Sequence, residues 1–137
     1  MNKLRVGFIA IAAVLMATAA QAQTTKVEAD VPFNFVVGDR AYPAGEYTLS
    51  NQGAVLRIES AEQTSMAGVL THACMEARPA KQTKLVFHRL GDTLFLYQIW
   101  VAGDNYGREF PRSKSEVRLA ENHEKSENVI VAANLVR

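Results

Sequence analysis

From residue 31 onward, apolar and polar side chains alternate with a period of two rather than 3.6, which predicts half-buried β-strands. In "VPFNFVV" the positions Val31, Phe33, Phe35 and Val37 point one way and Asn34 the other. "GDRAYPAGEY" follows as a turn, in which Pro43 presets its own φ and Gly45 accepts a positive one. Tyr47 and Leu49 resume the inward face, and after Asn51-Gln52-Gly53 it continues through Leu56 and Ile58, with Arg57 and Glu59 outside. "MAGVLTH" is a fourth strand, and "EARPAKQ" (76 to 82) interrupts with charge and Pro79 as a loop with room for one helical turn.

"KLVFHRLGDTLFLYQIW" (84 to 100) reads as a hairpin about Gly91-Asp92. A two-residue turn there pairs residues whose numbers sum to 183, which sets His88 across from Phe95 and Arg89 across from Leu94. One face then holds Leu85, Phe87, Arg89, Leu94, Leu96, Gln98 and Trp100. The other holds Val86, His88, Leu90, Phe95, Tyr97, Ile99 and Val101. With both faces mostly apolar, the pair needs a second sheet on one side and a helix, loop or partner on the other.

"PRSKSEVRLAENHE" supplies a helix, with Pro111 ahead of it and the capping box Ser113-x-x-Glu116. Its apolar stripe of Val117, Leu119 and Ala120 is narrow, as suits a helix lying on a surface. "NVIVAANLV" (128 to 136) is rich in β-branched residues and makes a seventh strand. These elements predict a mainly β protein: one antiparallel β-sandwich or partly open barrel of about seven strands, with one short helix before the last strand.

The first residues change the picture by assigning a compartment. Lys3 and Arg5 precede an uncharged run from Val6 to Ala20 and the small-x-small triplet Ala20-Gln21-Ala22, which predicts a signal peptide over 1–22 and a single β domain over 23–137. The run is shorter than the roughly 20 apolar residues of a membrane span, so no transmembrane span is expected in the mature chain. The mature chain then holds 13 basic and 14 acidic residues, a charge of −1. With no block of Lys or Arg it carries no electrostatic footprint for nucleic acid. The expected location is periplasmic or extracellular, where disulfides form, yet Cys74 is alone and cannot make one within the chain.

"VPFNFVVGDRAYPAGEYTL", "KLVFHRLGDTLFLYQIW" and "GREFPRSKSEVRLA" together resemble the three blocks of a family of uncharacterised small exported bacterial proteins. Two positions depart from that pattern: Leu90 stands where the family has an aromatic before the Gly-Asp turn, and Tyr42 where leucine is usual. The resemblance implies export and membership, and it assigns no activity.

Candidate chemistry is sparse. His72 and Cys74 are two apart, on one face of a strand, and with His88 or His123 could gather around a metal, but no second closely spaced pair of ligands completes a tetrahedral site. No G-x-S-x-G elbow is present, and Asp92, Asp104 and Glu109 all sit in or beside turns, so no catalytic residue, metal or cofactor is predicted. His88 and Arg89 read first as strand-end residues, with Arg89 extending into water, and only second as partner or ligand contacts. Tyr106 and Arg108 in "DNYGRE", taken as a loop, have the amphipathic, donor-rich character of contact residues. The two pairs belong to opposite ends of one strand, roughly 30 Å apart at 3.3 Å per residue, and so do not form one site. The expected function is a non-enzymatic binding or interaction module with a protein, peptide or glycan partner in the envelope. A structural protein acting by self-association, and so a homo-oligomer, is the alternative, with a hydrolytic enzyme behind it.

Overall fold

The computed structural model describes residues 24–62, 66–122 and 125–136. The expected export segment and its cleavage site before Gln23 lie outside the described residues, as does His123. In chain order the elements are β1 (Thr25–Val31), β2 (Phe35–Val37), β3 (Arg40–Tyr42), β4 (Gly45–Gln52), β5 (Val55–Ser60), β6 (Met66–Leu70), β7 (His72–Met75), β8 (Lys84–Leu90), β9 (Thr93–Trp100), β10 (Tyr106–Glu109), α1 (Lys114–Asn122), β11 (Glu127–Ala132) and β12 (Asn134–Val136). The first sheet runs β12-β1-β4-β5-β6 and the second β11-β8-β9-β10-β7. The hairpin of β2 and β3 joins the second sheet where Val36 pairs in parallel with Phe95. The sheets stay open rather than closing into a barrel, so of the two predicted forms the sandwich is the one found.

Inward residues of both sheets meet in one core. Val27, Ala29, Val31, Leu49, Leu56 and Ile58 come from the first sheet, and Phe35, Val37, Leu85, Phe87, Leu94, Leu96 and Ile99 from the second. Phe35 lies at its centre, with ring centroids 5.1 Å from Tyr47 and 5.5 Å from Phe87, both edge-on. Tyr47 closes the "PAGEY" turn by donating from its hydroxyl to the Pro43 carbonyl at 2.6 Å.

The chain divides into more strands than the alternation predicts because β3 forms within the stretch expected as a turn, pairing with β2, and because three apparently continuous runs each serve both sheets. "VPFNFVV" ends β1 at Val31 and begins β2 at Phe35; Pro32, without an N–H to give a ladder, lies at the crossing. "MAGVLTH" is cut at Thr71 into β6 of the first sheet and β7 of the second. "NVIVAANLV" is cut at Ala133 into β11 and β12, so α1 precedes two final strands. Strands that change sheets this way make the corners of a sandwich while keeping their apolar side inward. The segment 106 to 109, expected in a loop, is the strand β10 between β9 and β7.

The hairpin carries one irregularity that reassigns its faces. From Leu90 to Phe87 the pairing sums to 183 as predicted, but Val86 faces Gln98, so a bulge at Tyr97 moves the remaining pairs by one. Ile99 therefore opposes Leu85 and joins the main core, while Trp100 opposes Lys84 and turns to the outer face. There it packs with Val86 and Ala80, against the partly buried Cys74 and Tyr97. The cover over this outer face is α1 together with the loop 76 to 83, which shows no helical turn.

Candidate functional site

Two features gather polar side chains, one on each side of the second sheet. On the inner side the sheets part at one end and leave a cleft of about 290 Å³. Val27, Leu49, Leu56, Ile99 and Val101 floor it, and Thr25, Asn51, Asp104, Tyr106 and Arg108 stand among its lining. β10 presents Tyr106 and Arg108 to this side because Gly107 and Glu109 alternate with them. Trp100 lies against Gly107 so closely that a Cβ there would come within 2.9 Å of the ring and 2.7 Å of the Ile99 carbonyl.

Of the sequence-predicted contact residues, Tyr106 is 65% exposed and lines the cleft, opposite Met75, its cross-strand partner. Arg108 lines the cleft, but its Nε donates to Thr71 Oγ1 at 2.9 Å and its terminal nitrogen to the Thr71 carbonyl at 2.6 Å. The guanidinium thus clamps the corner between β6 and β7.

On the outer side the bulge at Tyr97 and the strand β10 bring together a chain of hydrogen bonds. Glu109 Oε2 lies 2.7 Å from His72 Nε2, and Glu109 Oε1 accepts from Gln98 Nε2 at 3.1 Å. Gln98 Oε1 in turn accepts from Trp100 Nε1 at 3.0 Å. The Tyr97 hydroxyl also bonds to Glu109, and with burial this pushes the phenol up to about 12. Burial raises the Glu109 carboxyl, but the hydrogen bonds from Tyr97, His72 and Gln98 outweigh it and hold the group below its ordinary value. Burial, followed by the nearby Glu109 charge, pushes the Cys74 thiol up, so at neutral pH it keeps its proton.

His88 stacks on Tyr97 with ring centroids 3.7 Å apart and pairs through Nδ1 with Glu116 Oε1 at 3.1 Å. It is buried under α1, where a solvent-reaching strand end was expected; the helix roofs that end of β8. Arg89 does reach solvent, 3.9 Å from Glu127. Glu116 fills only half of the predicted capping box. Its N–H donates to Ser113 Oγ at 3.1 Å, while its carboxylate leaves the helix end for His88. Consequently the helix buries a carboxylate against the sheet, and Val117, expected in the apolar stripe, is exposed.

His88 and Arg108 thus face opposite sides of the second sheet, but not from opposite ends of a strand as expected: β10 runs back along β9, with Arg108 opposite Ile99 and Glu109 opposite Gln98, which brings this segment toward Tyr97 and His88. His72 and Cys74 are placed beside Glu109, and no group of three potential metal ligands occurs among the described residues. Sequence reasoning missed Glu109, Tyr97 and Glu116 as one network. The available signal was a Glu in a capping box opposite a His on an otherwise apolar strand face. Comparison with protein-family models, curated proteins and solved structures finds no match to this chain.

Proposed function

We propose that this chain is an exported, non-enzymatic binding module that seats an apolar group of its partner or ligand in the cleft between the open ends of the two sheets. The cleft carries the reading. Its floor of five aliphatic side chains and its rim of Tyr106, Arg108, Asp104 and Asn51 follow the usual make-up of a binding site, a largely apolar hollow with a few polar groups at its mouth. At about 290 Å³ it has the volume of roughly ten molecules of liquid water, enough for one aromatic or branched aliphatic group. Tyr106 supplies an exposed, amphipathic ring at the entrance, while Arg108 is held by Thr71 and shapes the wall. Export rests on the charged, apolar and small-residue sequence of residues 1 to 22 and on the resemblance to exported bacterial proteins.

Indole serves as a probe of the cleft. In methyl-detected NMR it is expected to shift Leu49, Leu56, Ile99 and Val101 and to leave Val86 on the outer face unmoved. Ala73 is exposed and lines the cleft, so Ala73→Trp fills the space with little cost to the fold and abolishes those shifts. Shifts spread over both faces, or unchanged in Ala73→Trp, would dismiss the cleft as the site.

A further inference from the structure

Residues 66 to 75, "MAGVLTHACM", form the free edges of both sheets on one side of the sandwich, as β6 in the first and β7 in the second. The stretch contains no Asp, Glu, Lys, Arg or Pro. Sheet edges in native proteins are blunted by charge, proline, bulges, brevity or a covering element. On the opposite side the first sheet ends in the three-residue β12, and β11 opens with Glu127. Among the described residues β6 has none of these devices, and no strand pairs with its outer edge. Leu70 at its end is 69% exposed, and Val55, its partner on β5, is exposed beside it.

The phase of the β5–β6 ladder decides which groups this edge offers. Thr71 N–H donates to the Ala54 carbonyl at 2.8 Å, so the residues hydrogen-bonded to β5 are 67, 69 and 71. The backbone groups of Met66, Gly68 and Leu70 therefore point away from the sheet. We infer that β6 is a self-association edge: two copies pair antiparallel about a two-fold axis at Gly68, joining their first sheets into one of twice the width. In that register Gly68 faces Gly68 of the second copy, and Met66 faces its Leu70. Each of these pairs exchanges two backbone bonds, so every outward N–H and C=O of residues 66, 68 and 70 is satisfied.

A second copy is the occupant these observations favour. Two-fold pairing sets the residue on the axis against its own copy, where a charge would meet its like. An uncharged strand escapes that repulsion, and the near-neutral chain adds little of its own. Pairing β6 with β12 of another copy would instead engage only three residues and would not close.

Sedimentation velocity of the purified protein, across the micromolar range and under reducing conditions so that Cys74 plays no part, is expected to show a dimer. Gly68→Glu and Gly68→Lys are each expected to be monomeric with the parent circular dichroism. A Cβ at 68 lies 3.3 Å from a Val55 methyl, which needs to yield only slightly. Mixed in equal amounts, the two variants should dimerise again, because opposite charges then face each other at the axis. Leu70→Pro removes only an outward N–H and should weaken the dimer without a change of side-chain charge. A monomeric parent, a dimeric Gly68→Glu or a mixture that stays monomeric would each overturn the inference.

Discussion

Glu109 occupies the centre of the outer-face network, and the opposed shifts of Glu109 and Tyr97 make its contribution readable by pH. The Tyr97 phenol is raised from 10 to about 12, so the unfolded chain loses this proton before the folded one. Stability from this group is complete below about 10 and declines as pH rises toward 12. The Glu109 carboxyl is lowered, so its contribution is present above the ordinary carboxylate range and is lost as pH falls through the folded value. Tyr97→Phe should therefore melt below the parent at neutral pH, with the gap closing above pH 10. Melting curves of the two proteins from neutral to strongly alkaline pH check this, and parallel lines throughout would mean that the hydroxyl is not held by Glu109. Little of this was legible in the sequence. Glu109 reads as a turn carboxylate until β10 is seen to pair with β9, and Tyr97 reads as one of many alternating aromatics until the bulge turns it toward Glu109.

At the scale of elements, alternation located the hairpin and its turn because each side chain there obeys a local rule, and Gly91 has the positive φ of 63° that such a turn uses. It misplaced Ile99 and Trp100 because a bulge inserts one residue without leaving any mark in the hydrophobic pattern. The helix was legible from its capping box, yet which face it buries was not. That choice depends on His88, 28 residues earlier, which draws Glu116 inward. Glu116→Ala leaves the His88 ring nitrogen without this partner inside a buried site, a loss of about 1 to 3 kcal/mol. Hydrogen exchange should then quicken in α1 before it quickens in β8 and β9, whereas Glu116→Gln, which can still accept, should retain most of the protection. Uniform quickening across the chain in Glu116→Ala would show that α1 is part of the core rather than a roof over one face of it.

For the whole molecule, the sandwich class followed from the number and spacing of apolar alternations, but the sheet to which each strand belongs did not. A corner such as Thr71 or Ala133 takes one residue, and the alternation passes through it unbroken. The consequence is a molecule tied together at both sides by strands that serve two sheets, with one core between them and a smaller cluster outside. These two layers should respond differently to the loss of a ring. Phe87 is fully buried between the sheets and touches the rings of Phe33 and Phe35, so Phe87→Ala opens a cavity where both sheets meet. Trp100 is equally buried but lies outside, against Val86 and Ala80 and across Gly107. Each truncation should cost about 3 to 5 kcal/mol, set against about 5 to 15 for a domain. The difference lies in where protection fails first. Phe87→Ala should expose amides of both sheets together, in a single cooperative step. Trp100→Ala should first release the loop 76 to 83 and β10, because Ala80 and Gly107 lose the ring that covers them, while β1 and β4 keep their protection. Residue-resolved hydrogen exchange on the two variants measures this order, and loss of β1 and β4 protection at the outset in Trp100→Ala would show that the outer cluster and the inter-sheet core unfold as one.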